Sequence, residues 1–139
     1  YTVQVVSSEE ITDRASRTVP EIFKYEPSVL VQKTSMGQGS PYMRGFTGFR
    51  TLFLIDGVRL NNSVFREGPN QYWNTVDPYC ISRLEIVKGP SSVLYGSDAI
   101  GGIVNVVTKG RDSFEKGFFT DETVYAKYGS ADYSSVARC

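Results

Sequence analysis

Histidine is absent from the 139 residues, which removes the commonest general base near neutral pH and the commonest metal ligand. Cysteine is scarce. Cys80 and Cys139 stand too far apart for a C-x-x-C metal pair, and two thiols make no disulfide framework, although a bond between them is open in an oxidising compartment. Charge of either sign lacks an excess: Lys+Arg and Asp+Glu each number 15. Neutralising phosphates needs a clustered basic surplus, so a nucleic-acid partner is not expected. No run approaches the roughly 18 continuous apolar residues of a membrane-crossing helix. The longest are Leu52 to Ile55 and Ile103 to Val107, the latter interrupted by Asn105. No signal-peptide pattern follows Tyr1. The sequence therefore reads as soluble by itself, either cytoplasmic or a section of a longer exported chain.

What is present suffices for a core: 40% of residues are hydrophobic and 22% charged, which argues against disorder. One domain, or one domain with an appendage, is the expectation. Thr2 to Val6 reads as a strand. Ser7 and Glu10 have capping-box spacing, opening a helix that pairs Ile11 with Ala15. Thr18 and Pro20 open a second helix, with Val19, Ile22 and Phe23 on one face and Pro27 as its stop. Val29 to Val31 is a strand candidate, and the Ser, Gly and Gln composition from Thr34 to Pro41 reads as a loop. Tyr42 to Phe46 is a short strand. Arg50 to Ile55 is apolar on both faces, as a central strand would be, and Asp56-Gly57 has type I′ turn chemistry.

Residues 61–76 read as a long irregular stretch, too aromatic for a linker and so functional in character. Asp77-Pro78 is a helix start, and Arg83 to Lys88 alternates as a half-buried strand. Ser91 to Tyr95 is a short helix capped by Gly96, Asp98 to Gly102 a tight turn, and Ile103 to Thr108 a strong strand. Short helices among a few strands predict an α+β domain built on one mixed sheet. After Lys109 the texture changes. Phe118 to Tyr128 and Tyr133 to Arg138 form a β-prone pair around a Gly129 to Asp132 turn. Its half-alternating pattern fits an edge hairpin of a soluble domain. The first strands of a membrane β-barrel share the two-residue repeat, but pattern alone favours the soluble hairpin.

Three segments carry a family resemblance: Met43 to Phe46 (MRGF), Leu54 to Asn61 (LIDGVRLN), and Ile81 to Lys109 (ISRLEIVKGPSSVLYGSDAIGGIVNVVTK). In order and spacing the chain resembles the plug of TonB-dependent outer-membrane receptors over roughly residues 2 to 110. The resemblance implies a plug over residues 1–110, with residues 111–139 as linker and start of a β-barrel. It further implies a barrel of about 22 strands whose lumen the plug fills, substrate binding between plug and barrel loops, and a TonB box pulled from the periplasm. Neither that box nor the barrel lies within these residues. The function implied is a gate for energy-coupled uptake of a scarce nutrient, with a ferric siderophore or other metal chelate foremost, in the cell outer membrane. The partners implied are the chain's own barrel, TonB and a small-molecule substrate.

In the matched motifs, Arg44 and Lys88 occupy places where family plugs carry basic residues paired with barrel glutamates. Position 88 often holds Arg, and a Lys there cannot pair in bidentate fashion. The bland alternative is two solvated surface charges. For substrate contact the candidates are Gln38 in the Thr34 to Pro41 loop, and Arg66, Gln71, Tyr72 and Trp73 in the aromatic stretch. Aromatic faces with polar tips suit planar, partly polar ligands. Against that, Tyr72 and Trp73 would equally serve to pack the stretch onto the domain. Asp56, Asp77 and Asp98 have local explanations as turn, N-cap and loop residues. The glycines form neither phosphate-binding motif and read as turn and cap residues. No nucleophile–base pair is in evidence, so no enzyme, cofactor or resident metal is expected. The competing reading is a free-standing periplasmic plug-like binding module without transport activity.

Overall fold

The computed structural model describes residues 2–35, 38–60, 71–110, 124–131 and 133–138. Its centre is a five-stranded sheet in the order β1-β6-β7-β4-β5, formed by β1 (Thr2–Ser7), β4 (Thr51–Ile55), β5 (Val58–Arg59), β6 (Ile81–Lys88) and β7 (Gly102–Thr108). Only β4 and β7 run parallel; the other neighbours are antiparallel. The sheet is mixed and the helices are short, as the α+β expectation has it. No helix among the described residues is long and apolar enough to cross a membrane.

Register divides the sheet into two unlike faces. Gln4, Val6, Leu84, Ile86, Val104 and Val106 share one face through cross-strand pairing. There α1 (Ser8–Asp13), α2 (Val19–Ile22) and the segment around Trp73 close the main core, which includes Val6, Ile11, Ile22, Phe23, Phe53 and Trp73. The opposite face is smaller: Leu52, Leu54 and Ile103 pack with Ala99 and Val87. Asn105 also lies on it, bridging Glu85 Oε2 at 2.9 Å and the Gly57 N–H at 3.0 Å. The interruption of the apolar run is thus a polar cross-strand link.

Local chemistry explains the ends of the elements. Ser7 Oγ accepts from the Glu10 N–H at 3.2 Å, half of the expected capping box; the Glu10 carboxylate turns instead to Arg14. The helix stops at Asp13 and Ala15 takes φ +48, so the expected Ile11–Ala15 pair does not form and Ala15 is exposed. Val19, Ile22 and Phe23 are all buried, as their spacing predicts, with Phe23–Tyr25 tightening into a 3₁₀ turn. Asp56 and Gly57, at φ +50 and +78, make the expected two-residue hairpin turn. Asp77 accepts from the Tyr79 N–H at 3.1 Å as an N-cap, over a single 3₁₀ turn, Pro78–Cys80. Gly101 departs from the turn reading. A Cβ there would meet Phe46 Cβ at 2.6 Å, so close approach rather than positive φ requires it.

The expected loop over Thr34 to Pro41 is corrected. β2 (Val29–Ser35) and β3 (Gln38–Met43) form a two-stranded antiparallel unit, leaving only residues 36–37 between them. Pro41 lies within β3, which a two-stranded sheet tolerates because one edge of each strand needs no ladder donor. The small residues that suggested a loop serve packing. A Cβ on Gly39 would stand 2.9 Å from Pro20 Cβ. β8 (Tyr125–Gly129) and β9 (Ser134–Arg138) form the C-terminal hairpin; the expected strand residues 118–123 lie outside the described residues.

Candidate functional site

At the end of β3, Arg44 and Gly45 take φ +51 and +83. Met43 and Phe46 exchange backbone hydrogen bonds of 2.9 and 2.8 Å around them, a tight turn that needs positive φ at both central positions. This turn holds the Arg44 guanidinium in solvent, and among the described residues it makes no hydrogen bond or ion pair. It borders an open cavity of about 440 Å³ lined by Ser28, Val29, Leu30, Tyr42, Arg44 and Gly45. Tyr42 Oη donates to Gln32 Oε1 at 2.6 Å, fixing the ring on the hairpin's outer face.

Lys88 is placed differently. The strand alternation that buries Leu84 and Ile86 also turns Lys88 inward, leaving it 6% exposed. Its ammonium donates to Gln4 Oε1 and to the Pro27 carbonyl, each at 2.7 Å. The expectation of a barrel-directed charge therefore meets a side chain engaged within the domain, tying β1 to the entry of β2. The sequence period carried this signal, since Leu84, Ile86 and Lys88 are spaced by two.

Among the substrate candidates, Trp73 is 1% exposed. It stacks on Phe53 at 4.3 Å between centroids and meets Phe23 edge-on at 5.8 Å. Of the two roles open to it, the geometry gives Trp73 packing rather than surface contact. Gln71 and Tyr72 lie on the same 3₁₀ turn, Gln71–Thr75, which packs against β3, the strand that begins at Gln38. The fold thus makes neighbours of the two segments chosen for substrate contact. Arg66 lies outside the described residues.

Sequence reasoning missed the ion pairs, among them Arg14–Glu26 and Arg59–Asp98. Arg14 Nη1 reaches Glu26 Oε1 at 2.8 Å and the Ile22 carbonyl at 2.8 Å, with the Glu26 side chain fully buried. Arg59 Nη1 meets Asp98 Oδ2 at 2.6 Å while Nη2 donates to the Tyr95 carbonyl. Asp98 therefore does more than shape a loop. It anchors the segment containing α3 (Ser92–Tyr95). Neither pair has a sequence signal, because partners 12 and 39 positions apart meet only through tertiary folding.

Three carboxylates among the described residues are held below their ordinary values. Asp56 is held below its ordinary value by the Thr108 backbone N–H and then its hydroxyl, both at 2.8 Å. Hydrogen bonds from Asn105 and Arg83 lower Glu85. Burial raises Glu21, but the Lys33 ammonium and the Arg17 N–H outweigh it and the net shift is downward. Each carboxylate is occupied by a donor, an arrangement that fixes backbone rather than moves protons. Cys80 carries a free, exposed thiol; Cys139 lies outside the described residues.

The C-terminal hairpin docks by its polar side. Tyr125 packs on Tyr79 at 4.8 Å and under the Lys109 ammonium. Lys127 donates to the Ala15 carbonyl, and Arg17 Nη2 to Ser134 Oγ at 3.3 Å. Val124, Ala126 and Tyr128 face away and are exposed.

The family profile of the TonB-dependent Receptor Plug Domain matches residues 1–103. A vitamin B12 transporter, BtuB, of Vibrio cholerae is 32% identical over 137 residues, covering 97% of this chain and 21% of the transporter. An iron-regulated outer membrane virulence protein of the same species is 37% identical over 112 residues, covering 77% of this chain and 17% of that protein. Among solved structures, the ferric enterobactin receptor PfeA of Pseudomonas aeruginosa superposes with a TM-score of 0.63 at 30% identity, over 77% of this chain and 17% of the receptor. The chain thus spans about a fifth of the length of these relatives. The chain belongs to the plug-domain family of TonB-dependent receptors.

Proposed function

We propose that this chain is the gate of an outer-membrane receptor that takes up a metal chelate, most simply a ferric siderophore, by energy supplied through TonB. The observation that carries the reading is the plug match over residues 1–103, supported by relatives about five times longer. One of those relatives is a vitamin B12 transporter and another an iron-regulated outer membrane protein, and the similar solved structure is a ferric enterobactin receptor. A chelated metal needs no metal-binding residues on the plug. On this reading the protein binds and gates, and catalyses nothing.

The hairpin supports a barrel continuing from residue 111 onward. Along residues 124–128 the outward positions, Val124, Ala126 and Tyr128, are apolar, while the domain-facing ones are Tyr125 and Lys127; β9 adds Ser135 and Ala137 to the first side and Val136 to the second. Residues 124–128 have the polarity of a strand between lipid and a filled lumen. Arg44, exposed on a rigid turn, is the residue assigned to a barrel carboxylate; Lys88 serves inside the plug. Substrate is assigned to Gln38, Gln71 and Tyr72 on adjoining elements, together with Arg66, and Trp73 sets the position of that turn from beneath.

The test is expression of the complete gene in a strain lacking its own receptors. Outer-membrane fractionation, heat-modifiable migration on gels and TonB-dependent uptake of ferric siderophores and cobalamin are expected. A complete protein ending near residue 139 and recovered from the periplasm would leave a free-standing binding module instead.

A further inference from the structure

Strand β4 is buried on both faces. Leu52 and Leu54 turn to the smaller core, while Phe53 turns to the main one. The Phe53 ring stacks on Trp73, with centroids 4.3 Å apart and planes 29° from parallel. Its carbonyl oxygen accepts from the Leu60 N–H at 3.0 Å. Leu60 directly follows β5, and Trp73 sits in the middle of the 3₁₀ turn Gln71–Thr75. In the chain these two residues bracket Arg66, Gln71 and Tyr72. One buried residue therefore holds both ends of the segment assigned to substrate, one end by its backbone and the other by its ring.

Both anchors are held from a second side. Phe23 meets Trp73 edge-on, with planes 85° apart, and the turn itself packs on β3 and α2. Leu60 packs on the main core. Arg59, one position earlier, grips Asp98 and the Tyr95 carbonyl, so β5 is tied on the side away from β4 as well. Phe53 is fixed in turn by its parallel pairing with the fully buried Val104. A stacked ring sets both the distance and the tilt of its partner. An aliphatic side chain of similar volume sets only the distance. Side chains that contact a ligand need positions fixed to within about half an ångström, and that precision comes from the packing beneath them.

We infer that Phe53 is a positioning residue of the substrate site. Through its stack with Trp73 it sets the backbone position from which Gln71 and Tyr72 reach substrate, and it touches no substrate itself. This deepens the proposed function and rests on it, because Gln71 and Tyr72 contact substrate only on that reading. The role differs from core filling in one measurable respect: affinity depends on a ring at position 53 beyond what the ring adds to stability. The bond from Leu60 goes to a backbone carbonyl and survives any side-chain change, so substitution at Phe53 isolates the stack.

The test measures dissociation constants of the full-length receptor, purified in detergent, for a ferric tris-catecholate and for cyanocobalamin. Phe53→Leu and Trp73→Leu are each expected to weaken binding of the probe that the parent takes by about tenfold. The double variant should lose no more than about tenfold, because both changes break one stack. Trp73→Phe keeps a ring and is expected to stay within about threefold of the parent. Val6→Ala, in the same core but on the far edge strand β1, is expected to lower the melting temperature and leave affinity within about twofold. Parent-like affinity in Phe53→Leu overturns the inference. So does a double variant weakened about a hundredfold, or a Val6→Ala receptor that binds as poorly as Phe53→Leu. Should Phe53→Leu fail to accumulate, Phe53→Met is read by the same criteria. A parent receptor that binds neither probe overturns the proposed function and the inference with it, and is told apart because the loss precedes any substitution.

Discussion

Lys88 and Gln4 are joined by a 2.7 Å hydrogen bond across the β1–β6 pair, and the same ammonium reaches the Pro27 carbonyl. One buried cation therefore ties the first strand to the entry of the β2–β3 hairpin, with neutral acceptors only. Charged hydrogen bonds of this kind contribute about 1.5–3 kcal/mol. Removing the donor also leaves the Gln4 amide oxygen and the Pro27 carbonyl oxygen without it.

Lys88→Met is accordingly expected to destabilise the domain by about 1–3 kcal/mol. The loss should be concentrated in β1. Hydrogen exchange of the Val3 and Val5 amides checks this: they should accelerate more than those of β7.

Arg14→Ala should cost more, about 3–5 kcal/mol, because it strands the fully buried Glu26 carboxylate. Glu26 Oε2 already lacks a partner, so no second donor stands ready. A paired replacement, Arg14→Met with Glu26→Leu, should lose far less than Arg14→Ala alone. Denaturant unfolding of the two variants beside the parent protein decides it.

Trp73→Ala removes the ring that stacks on Phe53 and is expected to cost about 3–5 kcal/mol. Trp73→Phe should retain most of the stability. As the sole tryptophan in these 139 residues, Trp73 should report a dry environment within this domain. A blue-shifted emission maximum that moves red on unfolding is the expected signal, and a solvent-like maximum in the folded domain would contradict the packing.

Acid should loosen the turn between β4 and β5. Asp56 has a folded pKa below its ordinary 3.8, so its contribution is fully present above that value and is lost as pH falls through the lower folded value. Glu21 and Glu85, lowered from 4.5, act in the same direction. Stability should therefore decline below about pH 4, and Asp56→Asn should flatten that part of the profile while lowering stability at neutral pH. Urea midpoints measured from pH 7 to pH 3 test both.

Much of the fold was legible before any coordinates. Turn and cap chemistry at Ser7, Asp56-Gly57, Asp77 and Gly96 acts within a few residues, so it shows in the sequence itself. The same holds for β4, apolar on both faces, and for β6, alternating on one. The β2–β3 unit was hidden because Gly39 and Ser40 read as loop residues when only their own neighbours are considered. The smallness of Gly39 answers Pro20, some twenty positions away.

The candidate site divides in the same manner. Sequence by itself determined the family, through short motifs in fixed order, and the positions of Arg44 and Lys88 within them. Only the tertiary structure decided that Arg44 faces solvent, which acceptors hold the inward-turned Lys88, that Trp73 belongs to the core, and that Arg59 and Asp98 meet. Local patterns set backbone conformation over a few residues. Which side chain is buried, paired or left exposed depends on contacts between segments far apart in the chain, and those exist only once the sheet has assembled.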